Sequence, residues 1–212
     1  MELKVEYPKI ETLYERGKNF KVEIGNFKNR VYPTISKWHF TEKIDGMNMR
    51  AAYVPGAPVK IDGRTDKAVI PDRLMQVMQE TFTVAKFEAK FQSPVILYGE
   101  GYGAGIQRGG GLVENDSTQK FILFDVFVDN RWWLNYEAIC DVAAAFGVKA
   151  VPDFGIMSLE EATSFVRAGF NSLVAAEIGK VTPAEGLVGK TLEPLFDKRG
   201  NRLVTKIKFK DF

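Results

Sequence analysis

Residues 38–50, WHFTEKIDGMNMR, alternate apolar and polar side chains around a single glycine, Gly46. Alternation with a period of two is typical of half-buried β-strands. A glycine within such a pattern marks a place where another backbone or a ligand comes close. The stretch therefore predicts two strands, within 36–43 and 47–54. It also raises the question of whether Lys43 is a solvated lysine or a nucleophile at the edge of a pocket.

Strand patterns outnumber helix patterns in the rest of the chain. They lie at 58–61, PVILYGE (94–100), FILFDVFVD (121–129), EGLVGK and NRLVTKIKFKDF, with the turn sequence DKRGN before the last. Three helices are predicted, one starting at Pro71, one between Asn135 and Gly147, and one from a capping box at Ser158 and Glu161 to Gly169. Because these helices do not alternate regularly with the strands, we expect an α+β fold with antiparallel sheets flanked by helices.

The composition suits a single domain, 1–212, with 45% apolar residues and a formal net charge of +2. Residues 1–34 carry mixed charge and two prolines, which predicts a short helix or an N-terminal arm. Cys140 is the only cysteine, so an intramolecular disulfide is excluded. Because there is also no apolar leader and no membrane-length apolar run, we expect a cytoplasmic protein without a membrane partner. His39 is the only histidine, which excludes chemistry that requires several histidines.

Taken singly, the charged residues near strand ends are ambiguous. Lysines are mostly solvated, so Lys43 alone would be read as a surface residue. Lysines that alternate along a strand, such as Lys206 and Lys208, often mark only its solvated side. Asp125 lies within an apolar strand, where a carboxylate requires either a partner or a metal.

Taken together, six segments are far more specific than any one of them. In chain order they are EKIDGMN, DGRTD, LYGEGYG, FILFDVF, EGLVGK and KIKFKDF. From about residue 38 onward, this order resembles the covalent nucleotidyltransferases, namely ATP-dependent DNA and RNA ligases and mRNA capping enzymes. The resemblance implies an ATP-grasp-like ligase catalytic domain.

The resemblance also implies a reaction for Lys43. Its amine would attack the α-phosphorus of ATP, expel pyrophosphate and hold AMP as a phosphoramidate. The attacking amine must be neutral, and both nearby cations and partial desolvation favour that form. Lys206 and Lys208 would supply the cations and take up charge on the α-phosphate oxygens. The implied cofactors are ATP and Mg²⁺, for which Mn²⁺ can substitute.

The nucleotide-binding residues implied by the resemblance are Glu42, Asn48, Arg64, Glu100, Phe124, Lys206 and Lys208. Among these, Glu100 would bind a ribose hydroxyl and Arg64 would engage phosphate. Phe124 would stack on the purine, with Phe121 as the competing residue because only one of the two can face the pocket. The implied metal ligands are Glu185, the first choice, and Asp125.

Asn48 favours one branch of the superfamily. DNA ligases and capping enzymes usually carry arginine at this position, whereas K-x-D-G-x-N looks like the RNA ligases that seal nicks in duplex RNA. Arg50 lies on the same face of the predicted strand and could substitute. The expected partner is therefore RNA, with a nicked duplex as the form that this resemblance favours. No OB-fold is expected up to Phe212, so we expect either a stand-alone core or a C-terminal-type partner domain or protein, on another chain or outside this sequence.

Three other functions fit parts of the sequence. One is a DNA ligase catalytic core, and another is a nucleotidyltransferase that acts on a protein or a small molecule. The third is a non-catalytic nucleic-acid-binding relative. Against the third, every charged position that the chemistry needs is occupied, whereas a degenerate relative should have lost some.

Overall fold

The computed structural model describes residues 6–18, 20–65 and 67–212. The strands are β1 (Glu11–Thr12), β2 (Tyr14–Arg16), β3 (Val22–Phe27), β4 (Trp38–Glu42), β5 (Met47–Tyr53), β6 (Lys60–Gly63), β7 (Val95–Gly103), β8 (Gln119–Val128), β9 (Trp132–Trp133), β10 (Lys149–Ala150), β11 (Asp153–Met157), β12 (Gly186–Thr191) and β13 (Val204–Lys208). The helices are α1 (Asp72–Thr81), α2 (Val84–Lys90), α3 (Tyr136–Phe146), α4 (Leu159–Ala168) and α5 (Leu173–Ala176). None of the helices in these ranges has the length and apolar character needed to cross a membrane.

The chain folds into two compact units. The first unit contains residues 45–151 together with Glu6 and Tyr7, and the second contains residues 8–44 and 152–212. One boundary falls within the opening motif, because Ile44 belongs to the second unit and Asp45 to the first.

The first unit is built on a six-stranded sheet in the order β10-β8-β7-β5-β6, with β9 paired to β8. All pairings are antiparallel except that of β10 with β8. Alternation along β5 and β7 directs Met49, Ala51 and Leu97 into a core shared with apolar residues of α1, α2 and α3. The opposite face of these strands carries the polar residues Asn48, Arg50 and Glu100, together with buried Ile96 and Tyr98.

The second unit contains a five-stranded sheet in the order β1-β13-β12-β4-β11 and a separate β2-β3 hairpin. Only the β1-β13 pairing in the five-stranded sheet is parallel. Trp38 and Phe40 of β4 are fully buried in a core that also contains Leu159 and Val166 of α4. The predicted α+β class with antiparallel sheets is confirmed.

Two helices follow their predicted signals closely. The Asn135 side chain accepts a hydrogen bond from the Ala138 amide at the start of α3, and Gly147 ends that helix with φ of 72°. Ser158 and Glu161 form the reciprocal capping box of α4. The helix predicted from Pro71 is instead two helices, because α1 ends at Thr81 and the Thr83 side chain caps α2.

The described part of residues 1–34 is mainly β-structure, and the one short helix in that part is the 3₁₀ turn Tyr32–Thr34 at its end. Residues 11–16 and 22–27 form β1, β2 and β3, and β1 pairs with β13 along its outer edge. The partner of β1 lies about 190 residues away in the sequence, and no local pattern reports such a pairing.

Gly46 marks the close approach that its position predicts. A Cβ atom at this residue would lie 2.3 Å from the Gly101 carbonyl oxygen and 2.9 Å from Cγ of Glu100. Both neighbours belong to β7 in the same unit. The approaching group is therefore a backbone strand, and only glycine fits beside it.

Candidate active site

Lys43 directly follows β4 in the second unit, and both its backbone and its side chain are held. Its amide donates a hydrogen bond to the Gly186 carbonyl at 2.9 Å. Its Nζ donates to Oε2 of Glu185 at 2.7 Å, and the two side chains are 21% and 15% exposed. The predicted nucleophile and the first-choice metal ligand are thus an ion pair that solvent still reaches.

Lys206 and Lys208 lie on the same face of β13, two residues apart. Their cross-strand neighbours on β12 are Val188 and Gly186, respectively. Burial lowers the pKa of Lys206, and the charges of Lys208 and Lys43 lower it further. Burial also lowers the pKa of Lys208, against the opposing effect of Asp211, whose carboxylate is 3.9 Å from its Nζ. The second unit therefore brings Lys43, Lys206 and Lys208 close enough to the carboxylates of Glu185 and Asp211 for their charges to interact.

Asp211 and Arg16 support this group but are not among the predicted site residues. The Asp211 carboxylate is buried and accepts a hydrogen bond from the Arg16 guanidinium at 2.8 Å. Asp211 belongs to the KIKFKDF segment, so the sequence motif could have indicated it as a site residue. No motif indicates Arg16, because it lies in β2, far from that segment in the sequence.

Glu42, predicted to bind nucleotide, is only 2% exposed. Its Oε2 accepts a hydrogen bond from the Leu173 amide at 2.9 Å, at the start of α5. Burial raises the pKa of Glu42, although hydrogen bonds from Ser172 and from the amides of Leu173 and Val174 act in the opposite direction. The carboxylate fastens α5 to the end of β4, and its nucleotide-binding role stays a prediction.

The raised pKa of Glu42 predicts a pH-dependent stability. A carboxyl whose folded pKa lies above its unfolded value stabilises the fold fully below the unfolded pKa, and this contribution is lost as pH rises through the folded pKa. In Glu42→Gln, an amide oxygen accepts from Leu173 without ever ionising. We therefore expect the variant to gain unfolding free energy relative to the native protein as pH rises above about 4.5, the ordinary carboxyl pKa. Urea unfolding at several pH values measures this difference, and a pH-independent difference would contradict it.

In the first unit, Asn48 and Glu100 are direct cross-strand neighbours on β5 and β7. The Asn48 Oδ1 atom is buried and accepts no hydrogen bond from the residues that the structure describes. A buried acceptor of this kind normally has a donor, so the position is suited to a hydroxyl or amine of a ligand. Arg50, two residues further on the same face, is 3% exposed and lies 3.5 Å from the Asp62 carboxylate. Arg50 is therefore engaged within the sheet. This argues against Arg50 taking the role of the arginine that DNA ligases usually carry at the position of Asn48.

A β-bulge in β8 sets the directions of the Phe124 and Asp125 side chains. Tyr98 is opposite Asp125 and Gly99 is opposite Leu123, so Phe124 is the extra residue on β8. The Tyr7 hydroxyl donates to Oδ2 of the buried Asp125 at 2.7 Å, and the Tyr7 ring meets the half-buried Phe124 edge-on at 5.0 Å. Asp125 thus has the partner that its buried position requires.

Phe121, the competing stacking residue, lies in the core of the first unit. Its ring packs edge-on against Phe82 at 5.1 Å and crosses directly beneath Gly99. Phe124 is therefore the member of the pair that remains on the polar face.

The two phenylalanines should respond differently to truncation. Phe121→Ala should lower the unfolding free energy by about 3–5 kcal/mol, because it leaves a cavity in a packed core. Phe124→Ala should cost much less stability and should raise the Kd for ATP about tenfold, since base stacking on an aromatic ring contributes ~1–3 kcal/mol. Urea unfolding and nucleotide titration measure the two effects. The assignment fails if Phe121→Ala weakens nucleotide binding at unchanged stability.

The remaining predicted residues fall in separate places. Arg64 is exposed just after β6 in the first unit. The two predicted metal ligands belong to different units, Glu185 to the second and Asp125 to the first. Within the described ranges, no group of three or more acidic, histidine or cysteine residues forms a ready metal site. The metal-binding roles of Glu185 and Asp125 stay predictions.

Comparison with known proteins identifies the fold and the family. Three solved structures of mutant RNA ligase from Naegleria gruberi share the fold. One with ATP and Mn is 20% identical, with a TM-score of 0.64 over 96% of this chain and 61% of that one. One with AMP and Mn is 20% identical, with a TM-score of 0.64 over 95% and 60%, and an apo form is 21% identical, with a TM-score of 0.64 over 95% and 59%. The chain thus spans about three fifths of the length of these ligases.

The sequence comparisons differ in what they find. The search among curated proteins gives no match. The family model described as RNA ligase matches residues 36–208, which covers most of the chain and includes all of the predicted site residues. On this match, the chain belongs to the RNA ligase family.

Proposed function

We propose that this protein is an ATP-dependent RNA ligase that forms a covalent lysyl-AMP and seals 3′-OH and 5′-phosphate ends. The observation that carries the proposal is the position of Lys43, paired with Glu185 at 2.7 Å beside two lysines of lowered pKa. In this proposal residues 1–212 act as a single adenylylation domain, located in the cytoplasm.

In the first step, the Lys43 amine forms a bond to the α-phosphorus while the bond to the pyrophosphate oxygen breaks. In the structure the Nζ atom of Lys43 donates to Oε2 of Glu185, and this contact must be released before Nζ can attack. Lys206 and Lys208 then stabilise negative charge on the α-phosphate oxygens.

A divalent ion fits the available donors. Mg²⁺ at phosphate sites is usually held by one or two carboxylates together with water and phosphate oxygens, so Glu185 suffices as a protein ligand. When bound, the ion would neutralise phosphate charge. The solved relatives contain Mn with ATP or AMP, which supports Mn²⁺ as a substitute.

AMP would next pass from Lys43 to the 5′-phosphate of the RNA, and the 3′-OH would then attack that phosphate and release AMP. On the polar face of the first unit, Asn48 and Glu100 offer a buried oxygen and a carboxylate for ribose hydroxyls, and Phe124 offers a ring for the base. The assignment to RNA is supported by the family match over residues 36–208 and by Asn48.

The covalent step has a direct test. The protein is incubated with α-³²P-ATP and Mg²⁺ and denatured, and label on the polypeptide is measured, with α-labelled GTP for comparison. We expect label from ATP, and no label from either nucleotide would overturn the enzyme assignment. Sealing of nicked duplex RNA is then compared with sealing of nicked DNA and of single strands. Faster sealing of DNA would favour the alternative of a DNA ligase core.

A further inference from the structure

A polar pocket of about 680 Å³ lies in the second unit. The cations that line it are Lys9, Lys28, Arg30, Arg199 and Arg202. Only two carboxylates, Glu11 and Asp197, also line it, so the charge of the lining is +3. None of these residues is among the predicted site residues.

The walls of the pocket are held in place by hydrogen bonds. The Asp197 carboxylate accepts from the Arg199 amide at 2.8 Å and from the Asn201 amide at 2.9 Å, which fixes the DKRGN turn. On the other wall, the Tyr32 hydroxyl donates to the Val204 carbonyl at 3.1 Å and ties the N-terminal arm to β13. These hydrogen bonds therefore fix the backbone segments that carry the cations.

The lining chemistry selects an anionic ligand. Pockets for small neutral molecules are lined predominantly by apolar side chains, which does not describe this one. Lys28 is already bound to Glu15 at 2.8 Å, but Lys9, Arg30 and Arg199 are exposed at the surface of the pocket. The planar guanidinium fork matches phosphate oxygens in a bidentate manner. The volume is also large for a single phosphate, which favours a ligand with several.

The position of the pocket relates it to the proposed reaction. Val204 lines it, and Lys206 lies two residues further along the same face of β13, about 7 Å away along the strand. A phosphate-bearing strand in the pocket would thus lead toward the lysine group. We infer that the pocket binds the phosphate backbone of the RNA strand, with Lys9, Arg30 and Arg199 as the phosphate contacts. This inference rests on the proposed ligase function.

The test uses the full chain with Arg30→Ala/Arg199→Ala. The matched control is Lys90→Ala/Arg131→Ala, which removes the same charge from exposed positions in the first unit. Binding of nicked duplex RNA is titrated at several salt concentrations, and self-adenylylation is measured in parallel. Loss of two phosphate contacts should weaken RNA binding about tenfold and reduce the slope of log K against log salt by about 1.8, at unchanged adenylylation. The control should match the native protein, and Arg30→Lys/Arg199→Lys should recover most of the affinity.

The possible outcomes separate this inference from the proposed function. Unchanged RNA affinity in Arg30→Ala/Arg199→Ala overturns the inference. So does a loss of adenylylation at unchanged RNA affinity, because the pocket would then serve the ATP triphosphate. An equal loss of affinity in the control also overturns it, since general charge would be responsible. If the native protein takes no label from ATP, the proposed function itself fails, whatever the RNA titrations give.

Discussion

Lys43→Ala should abolish covalent labelling by α-³²P-ATP, lowering it by more than about 10³-fold, because no other amine can replace the bond-forming atom. Lys43 is anchored by its amide to Gly186 and by its Nζ to Glu185, and it is partly exposed. Truncation of the side chain leaves the backbone bond intact. The Glu185 carboxylate that loses its partner remains accessible to water. The fold should therefore survive.

Two controls make this result specific. Lys37→Ala removes an exposed lysine just before β4 and should label like the native protein. RNA that already carries AMP on its 5′-phosphate bypasses the lysyl-AMP, so Lys43→Ala should still seal it. Equal labelling of Lys43→Ala and the native protein would exclude Lys43 as the attachment site. Failure to seal pre-adenylylated RNA, with a normal unfolding transition, would show that Lys43 serves a later step as well.

Lys206→Met should lower the rate of self-adenylylation by about 10²–10³-fold, the usual effect of removing one group that stabilises developing charge. Methionine preserves the half-buried aliphatic stem while removing the cation. Lys206 is the position whose pKa is lowered by burial and by its two lysine neighbours, so its charge is directed into a site already rich in positive charge. Such a concentration of cations is suited to binding an anion such as phosphate.

The matched control is Lys210→Met, at an exposed lysine that alternates with Lys206 and Lys208 along the same segment. It should leave the rate unchanged, because its side chain is solvated. Single-turnover kinetics at saturating ATP would separate a loss of rate from a loss of nucleotide affinity. Equal rates for Lys206→Met and the native protein would remove Lys206 from the reaction.

Elements with strong local signals were predicted well. The Asn135 cap, the Gly147 stop and the capping box of Ser158 with Glu161 all act within a few residues, so the sequence reports them directly. The two strands predicted around the opening motif, within 36–43 and 47–54, are also present as β4 and β5, although they belong to different sheets.

Features that depend on distant parts of the chain could not be predicted. The partner of Asp125 is Tyr7, 118 residues away, and the bulge that exposes Phe124 depends on the register between β7 and β8. The split of the Pro71 helix was missed for a different reason, because the apolar spacing continues across Thr83 although that residue caps a new helix.

The parallel pairing of β1 with β13 has a consequence for expression and truncation of the protein. β13 carries Lys206 and Lys208, and β1 covers its outer edge at Glu11 and Thr12. A strand edge with unpaired backbone groups is a template for another chain. A protein shortened past residue 12 would therefore offer the lysine-bearing strand to a second copy. By pairing with β13, the N-terminal arm therefore protects this edge from pairing with a second copy of the chain.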